Sequence, residues 1–209
     1  MSEYEHEPIP GLPGLLPPGE TILWQGKPDW RVLARTAFHT GAVGGYFALL
    51  TGIALLSGAP LVGVAATALS GMLAVALLNL LAWATARGAI YTLTNRRIVL
   101  RIGVALPKCI NVPLGQITSL DMRRRARGTG DLVVTPAGSA RIGYAALWPH
   151  AQAWHYAAPR PMLRALPAID EIAALAARQV RLAQGTGIVT APEPRATPMP
   201  APAGQAVPA

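Results

Sequence analysis

Two long stretches of the chain carry no formal charge: Ala37 to Leu56, 20 residues, and Leu61 to Ala86, 26 residues. Only Ser57, Gly58, Ala59 and Pro60 separate them. A helix rises about 1.5 Å per residue, so roughly 20 apolar residues cross the ~30 Å hydrocarbon core of a bilayer. Each run is expected to span a membrane, and the short break makes the pair a transmembrane helical hairpin over 37–86. Buried helices of a soluble protein are the alternative. They seldom stay charge-free over two successive spans and need a large core to cover them.

Cytoplasmic flanks of membrane helices retain Lys and Arg. Lys27, Arg31 and Arg35 precede the first run, Arg87, Arg96, Arg97 and Arg101 follow the second, and the connection between the runs has none. Both termini are therefore expected in the cytoplasm, with a multi-pass topology. Glu3, Glu5 and Glu7 make the start of the chain acidic, unlike a secretory signal. Cys109 is the single cysteine, which excludes an intramolecular disulfide and a cage of Cys ligands.

Outside the hairpin the composition changes sharply. Residues 1–36 hold Pro8, Pro10, Pro13, Pro17, Pro18 and several glycines, and read as an extended cytoplasmic segment. Trp24 and Trp30 flank the turn-like Gly26-Lys27-Pro28-Asp29 and are candidates for the membrane surface. Residues 87–185 read as a small antiparallel sheet. TLTNRRIVLR turns at Asn95; further strands are expected over Cys109–Val112, Ile117–Met122, Leu132–Thr135 and Arg141–Ala145, with a turn at Gly128-Thr129-Gly130. The stretch AIDEIAALAARQVRLAQG then resumes a helical period. Ile169, Ile172, Leu175, Ala176, Val180 and Leu182 form its apolar face, Asp170 and Glu171 suit its N-terminal end, Arg178 and Arg181 its C-terminal end, and Gly185 its stop. Residues 186–209, rich in Ala and Pro, are expected to be disordered.

Several of these words resemble a known family. YTLTNRRIVLRIG, LPKCINVPLGQITSLDM and GTGDLVV are similar to bacterial membrane-associated PH domains that follow a transmembrane hairpin. PGLPGLLPPGETILWQGKPDW and YAALWPHAQAWHYAAPRPMLRALPAIDEIAALAARQV narrow the likeness to the photosynthetic complex assembly proteins of purple bacteria, the PuhB family. The resemblance runs from about Leu12 to Leu182. It implies an α+β membrane protein in which a two-helix hairpin precedes a PH-like small antiparallel β-barrel or sheet, capped by a C-terminal helix. It also implies a non-enzymatic assembly factor in the inner (intracytoplasmic) membrane that holds nascent photosynthetic reaction-centre subunits. The residues alone reach only a membrane-tethered β-domain, because a fold hosts many functions.

Residues 87–185 contain 14 Lys and Arg against 4 Asp and Glu, a formal surplus of +10. Arg123, Arg124, Arg125 and Arg127 are the densest group. As a solvated strand edge they would resist unwanted pairing; as a contact surface they would meet the anionic lipid bilayer or an acidic partner. Trp148 and Trp154, with Tyr156, are candidate partner anchors if exposed, since Trp and Tyr are enriched at binding hot spots. Gly41, Gly44, Gly45, Gly52, Gly63 and Gly71 recur at spacings that let helices approach closely, within the hairpin, in a homodimer, or against another protein's helix. Asn79 is expected to bond a neighbouring helix. His39 stands where an imidazole could ligate a pigment magnesium, although an interfacial hydrogen bond is the plainer role.

The sequence has no G-x-S-x-G, H-E-x-x-H or Walker-type loop and no paired carboxylates, so an enzyme is not expected. No cofactor or metal is implied. The basic pI near 10.6 invites nucleic acid, but strands broken by proline without a recognition helix argue against it. A general lipid-binding PH module is the main alternative to the assembly factor. A transporter is weaker, since neither span carries an ionisable pathway residue.

Overall fold

A computed structural model describes residues 9–104, 106–138 and 143–186. The first strand lies ahead of the apolar runs: β1 (Ile22–Gly26) pairs antiparallel with β2 (Ile90–Thr94), and β2 continues through β3 (Arg97–Ile102) to β4 (Lys108–Pro113). A second antiparallel sheet has the order β5 (Ile117–Arg124), β6 (Gly130–Pro136), β7 (Met162–Leu166). Strand period 2 sends alternate residues to opposite faces. Tyr91, Leu93, Ile98, Leu100, Leu132, Val134 and Leu163 thus meet in one core. The C-terminal helix α5 (Ile169–Thr186) closes that core with Ile169, Ile172, Ala176 and Val180.

The described residues before the hairpin therefore do more than form an extended segment. The turn at Asn95-Arg96 clamps them: Asn95 accepts the Thr21 N–H and donates to the Gly19 carbonyl, and Arg96 donates to the Pro18 carbonyl. Beneath that clamp Glu20 is buried and takes both Nε (2.8 Å) and Nη2 (3.0 Å) of Arg97, with the Thr94 hydroxyl at 2.8 Å. Burial opposes a charged Glu20 carboxylate, but its Arg97 and Thr94 partners prevail and hold it below the usual range. Trp24 packs on the core and Trp30 on a second cluster, each partly buried.

That second cluster joins the sheets to the helices. α1 (Trp30–Thr36) begins at Asp29, whose carboxylate caps the Arg31 N–H, and Asp29 itself donates its backbone N–H to Ala165. Leu33, Ala34 and Phe38 pack on Ala82 and Ala86 of α3 and on Ala165. The hairpin is α2 (Thr40–Leu56) and α3 (Leu61–Gly88). The first apolar run does not start its helix at Ala37, because His39 adopts a left-handed conformation (φ 54°) and bends α1 from α2 by 57°. α2 keeps 17 residues, about 26 Å, just short of a ~30 Å hydrocarbon core. Among the described residues α3, with 28, is the one helix long and apolar enough to cross a membrane by itself; α2 reaches that length only together with α1.

Several local expectations change. Gly71 is where α2 and α3 touch: a Cβ there would lie 2.5 Å from that of Phe47. Gly44 faces Val75 across the same seam, whereas a Cβ at Gly41, Gly45, Gly52 or Gly63 would meet nothing within 4 Å. Asn79 donates to the Val75 carbonyl of its own helix, not to a neighbour. The strand expected over Arg141–Ala145 is replaced from Tyr144 by the single helical turn α4 (Tyr144–Leu147), while Arg141 and Ile142 lie outside the described residues. β7, between Pro161 and Pro167, was not expected at all. Leu182 is exposed, Gly185 sits inside the last turn of α5, and Arg178 and Arg181 precede that turn. Most of the expected disordered tail, 187–209, lies outside the described residues.

Candidate functional site

β5, β6 and β7 turn one face to the core and the other to a cleft of about 690 Å³. Asp121 and Arg123 from β5, Asp131 and Val133 from β6, and Met162 and Arg164 from β7 form its floor. The alternation explains the set, since Leu132, Val134 and Leu163 between them point inward. Tyr144, Trp148, Gln152, Trp154 and His155 make one wall, and Thr36, Ala37 and His39 at the α1–α2 bend make the other.

Of the residues singled out in the sequence, Arg123, Arg125, Trp148 and Trp154 meet in this cleft; Arg124 and Arg127 do not line it. The arginines also divide by partner. Arg125 is tied to the buried Asp131, with Nε at 2.8 Å and Nη2 at 2.5 Å from Oδ2, while Asp131 Oδ1 accepts the Ala165 N–H at 2.9 Å. This carboxylate thus fixes β7 beside β6. Arg124 reaches Asp170 at the start of α5 (2.6 Å), an exposed pair. Arg123 and Arg127 are exposed and have no ion-pair partner among the described residues. Of this densest basic group, two arginines are internal ties and two have no ion-pair partner among the described residues.

A buried polar pair lies next to the cleft. Tyr91 accepts the Arg164 N–H at 3.2 Å and shares a hydrogen bond of 2.7 Å with His150 Nδ1. Burial, reinforced by the Arg164 charge, pushes His150 down to about 3, and burial raises the Tyr91 phenol. Both are neutral near pH 7. Burial also lowers the Arg164 guanidinium from its ordinary value, opposed by Asp131. Arg164 donates Nη2 to the Ala151 carbonyl at 3.1 Å, yet its buried Nε has no hydrogen-bond partner, nor has the buried Oε1 of Gln152.

The aromatic wall is largely uncovered. Trp154 is 83% exposed, Tyr156 61% and Trp148 49%. Trp148 makes an edge contact to Phe38, and Tyr156 packs on Tyr144 and Trp154. Trp154 has φ 68°, a left-handed backbone that a bulky residue seldom adopts. His39 also has positive φ and is exposed, its Nδ1 3.2 Å from the Ala37 carbonyl. Arg164, Asp131, Gln152, Tyr91 and His150 were not legible as a group, because Tyr91 and His150 are 59 positions apart. The alternation of Asp131 and Val133 was the one available signal for the floor.

A second concavity, about 650 Å³, runs along the hairpin. Gly44, Ala48 and Gly52 of α2 and Gly71, Met72 and Val75 of α3 line it, an almost wholly apolar groove.

Two antiparallel sheets closed by one C-terminal helix, with a helical hairpin inserted after the first strand, agree with the comparison to known families: the bacterial PH domain matches residues 46–180. The chain belongs to the bacterial PH domain family. In this bacterial PH domain the matched region takes in most of α2 and all of α3, but omits β1 and α1. A protein of Rhodobacter capsulatus, "Uncharacterized 23.7 kDa protein in puhA 5' region", is 37% identical over 185 residues, covering 82% of this chain and 84% of its own length. No solved structure matches the chain. The cleft offers cations, aromatic faces and unpaired polar atoms, groups that are common at binding surfaces.

Proposed function

We propose that this protein is a membrane-held, non-enzymatic assembly factor that retains nascent photosynthetic reaction-centre subunits at the cytoplasmic membrane. The observation that carries the reading is the 37% identity to the protein of the puhA 5′ region, which points to a photosynthesis gene cluster. The likeness to the PuhB family supplies the reaction-centre role.

Membrane attachment belongs to the same proposal. The hydrophobic side chains of α2 and α3 face outward, with Leu56, Leu61 and Val62 at the hairpin tip 80% exposed or more. Water would oppose so extensive an apolar surface, whereas lipid or another apolar helix would cover it. α2, extended by α1 or by local thinning of the bilayer, and α3 then cross as a pair, leaving both termini on the basic, cytoplasmic side. The hairpin groove accommodates an incoming span, while the cleft in the sheet domain holds that subunit's cytoplasmic part.

The test is a quantitative pull-down of a tagged copy from membranes of cells building their photosynthetic apparatus. Enrichment of immature reaction-centre subunits is expected. Recovery of lipid alone, with binding of the purified chain to anionic liposomes, would replace this reading with a general lipid-binding PH module. Exchanging both spans for an unrelated hairpin should abolish assembly; assembly left intact would remove the membrane half of the mechanism.

A further inference from the structure

We propose that the cleft beside the α1–α2 bend is a docking site for a short acidic segment of a partner polypeptide, whose carboxylate Arg123 receives beside the wall that carries Trp148 and Trp154. The inference rests on the assembly reading and narrows it from a partner subunit to the chemistry of the segment held.

Charge selects the occupant first. The lining holds three arginines, at positions 123, 125 and 164, against Asp121 and Asp131, so the surplus is 3 − 2 = 1 positive charge. Arg125 is neutralised by Asp131; among the described residues Arg123 and Arg164 have no ion-pair partner, and of these two Arg123 is the exposed one, whereas Arg164 is partly buried and donates to the Ala151 carbonyl. One spare cation among carboxylates matches a single acidic side chain in an otherwise neutral stretch. A densely anionic lipid surface would meet the exposed Asp121 as well and be repelled by it.

Hydrogen-bonding capacity points the same way. Gln152 has an unmet acceptor and Arg164 an unmet donor, and both residues line the cleft. A peptide backbone supplies both an N–H and a carbonyl, whereas a phosphodiester supplies acceptors only. The volume, about 690 Å³, lies in the ~300–1,000 Å³ range of sites that enclose small ligands and limits the guest to a few residues. Trp, Tyr and Arg are also the side chains that dominate protein–protein binding energy. Position completes the argument, because Thr36, Ala37 and His39 directly precede the first apolar helix. A segment emerging from the bilayer beside the hairpin reaches the cleft without a long linker.

The experiment places a photoreactive benzophenone amino acid at position 154 of the full-length protein, in cells building the photosynthetic apparatus. A control copy carries it at position 108, which is exposed on β4 of the other sheet. Adducts are digested and sequenced. The expected result is a polypeptide adduct at 154 and not at 108, mapping to a short segment with an Asp or Glu beside apolar residues. Arg123→Glu should lower its yield at least about tenfold, and Lys at the mapped acidic position should restore it. Adducts to lipid alone, no adduct from a protein of normal stability, the same adduct at both positions, or indifference to Arg123→Glu would each overturn the proposal. Its failure is separable from that of the assembly role. Reaction-centre subunits in the pull-down with no cleft adduct would sink the cleft alone; a sequenced acidic segment from a protein unrelated to photosynthesis would sink the assembly role alone.

Discussion

The β2–β3 turn and the β5–β7 face both carry arginines among carboxylates, but only the first is closed. At the turn, Glu20 is buried with both oxygens on Arg97, Thr94 adds a third bond, and Asn95 and Arg96 bind the chain that passes over them. On the β5–β7 face Asp131 is equally buried and equally occupied, yet Arg123 is left free, and Gln152 and Arg164 each keep an unmatched atom. A buried polar group without a partner weakens a fold, so a cluster that leaves several open suggests that something else completes it. Buried, satisfied carboxylates mark the scaffold, and the unpaired Arg123 beside open buried atoms marks the candidate site.

The sharpest way to break that contrast is to remove the two buried carboxylates. Asp131→Ala strands Arg125 and frees β7, and should cost about 3–5 kcal/mol; Glu20→Ala strands the partly exposed Arg97 and should cost about 3 kcal/mol. Urea unfolding of the detergent-solubilised chain measures both. A loss under about 1 kcal/mol for Glu20→Ala would mean that the clamp is not part of the scaffold.

A smaller effect is expected from Tyr91→Phe, which leaves the Arg164 N–H and His150 Nδ1 without their shared partner and should cost about 1–3 kcal/mol. The same pair predicts an acid dependence. Above about pH 6.5 His150 is neutral in both states, so it adds no slope. Between 6.5 and about 3 the unfolded chain takes up a proton that the folded chain refuses, and stability falls with falling pH by at most about 1.4 kcal/mol per unit. His150→Gln should flatten that part of the stability–pH profile; an unchanged slope would assign the acid sensitivity to other groups.

The smallest stability effects should come from the exposed arginines. Arg124→Ala loses a pair that is more than half exposed on both sides, worth about 0.2–1 kcal/mol. Arg123→Ala should leave the melting temperature unchanged while weakening partner recovery in the pull-down. The opposite result, lost stability with normal recovery, would make Arg123 another tie and remove it from the site.

Local pattern was enough for much of the architecture. The turn at Asn95, five of the seven described strands and the amphipathic helix starting at Ile169 were readable, because alternation and helical period are properties of neighbouring residues. β1 was missed because five prolines precede it, and it becomes a strand only when β2, more than 60 positions later, offers its edge. β7 was missed for a like reason: flanked by Pro161 and Pro167, it is stabilised by β6 and by Asp131. The helix break at His39 was hidden inside an uncharged run, since hydropathy averages over a turn that one residue's φ can end.

For the candidate site the division is similar. Composition picked out the Arg123–Arg127 group and the Trp148 and Trp154 segment, because charge clusters and exposed-type aromatics are visible one residue at a time. It could not show that Arg125 is spoken for by Asp131 or that Arg164, Gln152 and the α1–α2 bend complete the same cleft. The sequence by itself determined the two apolar runs, the basic domain and its family, since length, charge and local words need no partner. Only tertiary structure decided which arginines are tied and which line the cleft, because that depends on distances between residues brought together by folding.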